Sequence, residues 1–84
     1  MISTMTKSVF SGSYDKFRTF LVDARKKVGM TQVHVANKLK RPQSYVSKYE
    51  RGERRLDVIE FLEVAKILGV NPTALIKRIG KLPD

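Results

Sequence analysis

Gln43, Ser44, Ser47, Lys48 and Arg51 share one side of a helical wheel drawn for residues 42–51 at about 100° per residue. Pro42, Tyr45, Val46 and Tyr49 gather on the opposite side, and Glu50 sits on the boundary. The polar side carries hydrogen-bonding chemistry rather than bond-breaking chemistry. A glutamine amide can pair bidentately with adenine in the major groove, a lysine can reach guanine, and a serine hydroxyl suits several bases. Cations flank this row. From Lys38 to Arg55, seven basic residues (Lys38, Lys40, Arg41, Lys48, Arg51, Arg54, Arg55) stand against two acids (Glu50, Glu53), an excess of +5 in eighteen residues. Such a cluster supplies the phosphate contacts that give affinity and register. Any surface helix shows a polar outer face, and most charge runs are simply solvated. The row therefore needs a scaffold that presents it.

The scaffold is legible as five short amphipathic helices punctuated by Gly29, Gly52, Gly69 and Gly80. The first spans about 14–28, with Tyr14, Phe17, Leu21, Ala24 and Val28 on one face and Ser13 as N-cap. Thr31 caps the second, Gln32–Leu39, with Val35, Ala36 and Leu39 inward. Only Lys40, Arg41 and Pro42 separate it from the third, which opens at Pro42 or Gln43 and ends at Arg51. Two helices joined this tightly must cross steeply, which is the helix-turn-helix arrangement. The fourth opens with Asp57 and Glu60 in capping-box spacing and with Leu56 and Phe61 placed as a hydrophobic staple. Its expected inward stripe is Ile59, Leu62, Ala65 and Ile67 or Leu68. Asn71-Pro72 starts the fifth, where Leu75, Ile76 and Ile79 close the core and part of that stripe is left for a partner.

The chain has 84 residues and no cysteine, with 17 Lys+Arg against 8 Asp+Glu, a formal charge of +9. One domain fits that length, and a chain this short buries only roughly 60% of its unfolded surface. The charge favours a polyanionic partner, nucleic acid first and an anionic membrane second. Without cysteine there is no disulfide framework, and the cytoplasm is the expected compartment. No apolar run is long enough for a membrane span or a signal core. Residues 1–13 read as an arm, 14–80 as the domain and 81–84 as a short tail.

Catalysis has no constellation to stand on. His34 is the only histidine, so neither a metal site nor a catalytic dyad can be built on histidine. Ser13, Ser44 and Ser47 lack a base in sequence. The Asp57/Glu60 pair reads as a helix cap, and Phe17, Phe20, Phe61 and Tyr49 read as core rather than as a stacking platform for bases. The expectation is a non-enzyme without metal or cofactor.

These parts also support a family resemblance. Ala24-Arg25, Gly29-Met30-Thr31-Gln32, Ala36, Leu39, the run Gln43-Ser44-Tyr45-Val46-Ser47-Lys48-Tyr49-Glu50-Arg51-Gly52 and Ala65-Lys66-Ile67-Leu68-Gly69-Val70 occur in order and at matching spacing. Together they resemble the helix-turn-helix domain of the phage repressor, Cro and Xre family over about residues 14–79. The resemblance implies an all-α, lambda-repressor-like fold of five helices. It implies base contacts by Gln43, Ser44, Ser47 and Lys48. Gln32 would reach a phosphate or brace the next helix, while Tyr45 and Arg51 would lie nearer the DNA backbone. Lys38, Lys40, Arg41, Arg54 and Arg55 join them as backbone contacts through their charge. Arg25 and Glu50 match the family's structural ion pair. Lys40 departs from the glycine usual at the turn, and Pro42 from the usual Ser or Thr cap.

The leading expectation is a sequence-specific regulator that binds double-stranded DNA as a homodimer and acts in a repressor-like manner. The alternatives are an antitoxin or restriction–modification controller that also binds a protein partner, and an RNA or DNA binder without base preference.

Overall fold

The computed structural model describes residues 12–80. In chain order the helices are α1 (Gly12–Lys27), α2 (Gln32–Leu39), α3 (Gln43–Arg51), α4 (Val58–Leu68) and α5 (Pro72–Gly80), with no strand among the described residues. Residues 1–11 of the arm read over 1–13, and the tail over 81–84, lie outside them.

Local chemistry sets most boundaries. Thr31 Oγ1 accepts the His34 N–H at 3.0 Å and starts α2. At the head of α4 both halves of the capping box form: Glu60 N–H donates to Asp57 Oδ1 at 2.8 Å, and Asp57 N–H donates to Glu60 Oε1 at 3.0 Å. Asn71 Oδ1 accepts the Ala74 N–H at 3.1 Å ahead of Pro72, which opens α5 without an N–H to satisfy. One expected cap is corrected. The helix already includes Gly12, so Ser13 lies within the first turn of α1 rather than at its N-cap.

The join between α2 and α3 is the least ordinary backbone. Lys40 adopts φ 59°, ψ 44°, and no other non-glycine residue among those described has positive φ. The turn therefore keeps the left-handed geometry that favours glycine, at a cost of about 1 kcal/mol for a side chain. Its hydrogen bonds explain why: Lys40 N–H reaches Asn37 O at 3.1 Å and Arg41 N–H reaches Ala36 O at 3.0 Å, closing the end of α2. Pro42 then stands as N-cap of α3 with no side-chain bond to offer, and its ring presets φ at −63°.

Packing follows the short join. α2 lies against α3 and α4, and α1 crosses α3, α4 and α5. The core draws Leu21 from α1, Val35 and Ala36 from α2, Tyr45, Val46 and Tyr49 from α3, Phe61, Val64, Ala65 and Leu68 from α4, and Leu75 from α5. Several expected inward residues are not in it. Val28 lies beyond the end of α1 and is half-exposed. Pro42 is exposed because it precedes the first turn of α3. Ile59 is 65% exposed and Leu62 is also at the surface, while the buried stripe of α4 is Phe61, Val64, Ala65 and Leu68. The sequence VIEFLEVAKIL is apolar on most sides, so periodicity alone does not choose between adjacent stripes. The packing of α1 and α2 against α4 makes the choice. Ile76, expected to help close the core, is exposed on α5.

Candidate nucleic-acid interface

α3 presents the polar row because its other side is committed to the core. Tyr45, Val46, Tyr49 and Glu50 are buried, whereas Gln43, Ser44, Lys48 and Arg51 are exposed and Ser47 is half-buried. Lys38, Lys40 and Arg41 continue the exposed basic surface across the join. Lys38, Lys40 and Lys48 make no ion pair with another described residue. Arg41 has one long, solvent-exposed pair with Glu63 at 3.8 Å, which contributes little.

Behind the row runs a chain of side-chain hydrogen bonds. Gln43 Nε2 donates to Gln32 Oε1 at 3.3 Å, and Gln32 Nε2 donates to Glu50 Oε1 at 2.8 Å. Arg25 closes on the same carboxylate, Nε to Oε2 at 2.6 Å and Nη2 to Oε1 at 3.1 Å, and its Nη1 donates to Met30 O at 2.8 Å. Glu50 is only 7% exposed, and its carboxylate accepts three donors. A buried charge is tolerable when it is matched in this way. The hydrogen bond to Glu50 holds the Arg25 guanidinium above its ordinary pKa, against the opposing effect of burial. Gln32 thus braces α3 and at the same time orients Gln43.

Other basic residues are less free than the sequence implies. Arg51 makes a fork with Glu53, Nε to Oε2 at 2.8 Å and Nη2 to Oε1 at 3.1 Å, and Nη1 donates to Ser47 Oγ at 3.2 Å. Arg54 closes a second fork on Glu60 at 2.7 and 3.0 Å. Glu60 is held at a pKa of about 2, first by that fork and then by the Asp57 N–H. Arg55 lies over the Tyr14 ring at 4.4 Å, and the Tyr14 hydroxyl accepts the Leu56 N–H at 3.2 Å, pinning the loop after α3 to α1.

Tyr45 is 7% exposed, and its hydroxyl is buried without a partner among the described residues. Its ring instead carries the guanidinium carbons of Arg41 and Arg54 at 4.6 and 4.7 Å from the centroid, and it packs edge-on against Tyr49. Burial raises the pKa of both tyrosines. Helical periodicity puts Tyr45 on the inner side of α3, whereas the family resemblance implies a position nearer the DNA backbone.

Arg18 was missed. Its Nη1 donates to the Glu50 carbonyl at 2.7 Å. The available signal was its spacing: Arg18 and Arg25 are two turns apart and share a face of α1. No three His, Asp or Glu side chains among the described residues come together as a metal site, and no described helix is long and apolar enough to cross a membrane.

The geometry is that of a tightly joined helix pair presenting its second helix, and comparison with known proteins agrees. The helix-turn-helix family model matches residues 21–75. An XRE-family like protein from Pseudomonas syringae pv. tomato str. DC3000 superposes with a TM-score of 0.82 at 42% identity, over 90% of this chain and 93% of that one. No curated protein matches. The chain belongs to the Xre/Cro-type helix-turn-helix family of DNA-binding transcription regulators.

Proposed function

We propose that the protein is a sequence-specific, repressor-like regulator that sets α3 in the major groove of double-stranded DNA. The observation carrying this reading is the outward row of exposed Gln43, Ser44 and Lys48 with half-buried Ser47, backed by the Gln43–Gln32–Glu50–Arg25 chain. A reading side chain discriminates best when its rotamer is held before it meets the base. In this reading the four row residues touch base edges, and Lys38, Lys40, Arg41, Arg51 and Arg55 meet phosphates. Gln32 serves mainly as a brace. Arg54 orders the loop through Glu60 and adds charge. Tyr45 supports Arg41 and Arg54 from inside.

The protein acts as a homodimer in this proposal, with the two copies of α3 about 34 Å apart on one face of the duplex. The exposed apolar side chains Val58, Ile59 and Leu62 on α4 and Ile76 on α5 support a second copy as partner; Val58 and Ile76 line one shallow groove. Sedimentation on and off operator DNA checks this part, and a monomer in both states overturns it.

Selection from a random pool of duplexes of about 30 base pairs, long enough for two half-sites one turn apart, tests the whole reading. Enrichment of an inverted repeat is expected. Binding of the pool without enrichment would instead identify a charge-driven binder that does not read bases.

A further inference from the structure

Two arginines of α1 grip one residue of α3. Arg25 holds the Glu50 side chain, and Arg18 holds the Glu50 main chain. The last turn of a helix leaves carbonyls without intrahelical partners. In α3, the N–H groups of Gly52, Glu53 and Arg54 take the oxygens of Lys48 and Tyr49. Arg18 Nη1 takes the next one, Glu50 O, at 2.7 Å, and its Nε is tethered to Asp15 Oδ1 at 3.1 Å. The guanidinium is therefore oriented from its own helix before it meets the carbonyl. Its charge also complements the negative end of the helix dipole. Gly52 makes the approach possible. A Cβ there would stand 3.1 Å from Arg18 Nε and 3.3 Å from its Cδ, and the residue needs φ +81° in any case.

A side-chain clamp on Glu50 alone leaves α3 free to pivot about that residue. A second bond to the main chain, from a point two turns away on the same rigid helix, removes that freedom. The far end of the polar row is held differently, through Gln43 and Gln32. Both halves of the reading helix thus lead to Glu50, the N-terminal half through its carboxylate and the C-terminal half through its carbonyl as well.

We propose that Arg18 is a positioning residue for DNA reading: by holding the Glu50 carbonyl it sets the C-terminal half of α3, and with it the base preference contributed by Lys48, without touching DNA. The proposal rests on α3 being the reading helix.

The experiment is a duplex selection with the wild-type protein, Arg18→Met and Arg18→Lys in parallel, scored base pair by base pair, with thermal melts of each. Lys48→Ala and Gln43→Ala serve as position markers. Methionine keeps most of the stem packing and removes the donor. Arg18→Met is expected to lose about tenfold in discrimination at the base pairs that respond to Lys48→Ala. Base pairs that respond to Gln43→Ala keep their preference. Arg18→Lys, with a single ammonium donor in place of the fork, recovers part of the loss. Uniform weakening across all positions, or an unchanged profile, overturns the proposal and leaves α3 as the reader. If the wild-type protein enriches no sequence, the reading of α3 and the role of Arg18 fall together. Should Arg18→Met fail to fold, Arg18→Lys carries the comparison: a loss of about threefold confined to the Lys48 positions supports the role, and no loss there overturns it.

Discussion

Arg25 Nε stands 2.6 Å from Glu50 Oε2 and its Nη2 stands 3.1 Å from Oε1, so one guanidinium fork closes on one buried carboxylate between α1 and α3. The pair connects the frame of the domain to the back of the helix that carries the polar row. Removing one partner leaves the other charged and buried. Glu50→Ala is expected to cost about 3 kcal/mol of stability in urea unfolding, and Arg25→Met a comparable amount. Replacing both together is expected to cost less than the sum of the two, and additive losses would show that the pair is not coupled.

Lys40 sets a local conflict between stability and charge. Lys40→Gly is expected to stabilise the fold by about 1 kcal/mol, because the φ of 59° no longer opposes a side chain. The same change removes an exposed cation beside α3. Binding should weaken for all sequences alike, with the salt slope smaller by about one unit. Urea unfolding and a salt titration of DNA binding check the two halves separately. A Lys40→Gly protein that binds as tightly as the wild type would show that this lysine meets no phosphate.

Gln43 and Lys48 should behave as base readers. Alanine at either position is expected to cost about 1–3 kcal/mol on the preferred site and to relax preference at one or two base pairs. Binding curves on single-base variants of the selected site measure this. An equal loss on every sequence would move the residue from the base edge to the backbone.

Arg41 and Arg54 both lie against the Tyr45 ring but differ in their commitments. Arg41→Ala should flatten the salt slope by about one unit with little change in melting temperature. Arg54→Ala breaks the fork to Glu60, which also completes the α4 cap, so it should lower the melting temperature as well. Equal melting temperatures for the two variants would contradict the structural part given to Arg54.

Glu60 supplies a pH dependence with a definite sign. Its folded pKa is lowered from 4.5 to about 2 by the Arg54 fork and the Asp57 N–H. A lowered carboxylate pKa stabilises the fold above the unfolded value, and that contribution is lost as pH falls through the folded value. Glu60→Gln should therefore be less stable than the wild type at neutral pH. The gap should narrow between about pH 4.5 and pH 2 in thermal melts. A gap constant across that window would place the effect in packing rather than ionisation.

Much of this architecture is written in short-range chemistry. Thr31, the Asp57/Glu60 capping box, Asn71-Pro72 and the left-handed Gly52 and Gly69 act within a few residues of themselves, so they mark helix ends without reference to the rest of the fold. The outward set on α3 was equally readable, because 3.6-residue periodicity separates Gln43, Ser44 and Lys48 from Val46 and Tyr49 whatever packs behind them. The Arg25–Glu50 contact was different in kind. It is implied only by family resemblance, since the twenty-four residues between them carry no local trace of it.

By itself, then, the sequence determined where α2 to α4 begin and end, where α5 begins and which side of α3 faces outward. Only the tertiary structure decided that Ile59 and Leu62 stay at the surface while Phe61 and Val64 go inside, because a helix apolar on most sides takes its buried stripe from its neighbours. It also decided that Arg54 is tied to Glu60. Glu50 is the sharpest case: residues 18, 25 and 32 all converge on it. Those bonds exist only with α1 and α2 docked against α3, since each is too short to span anything but the final packed distance.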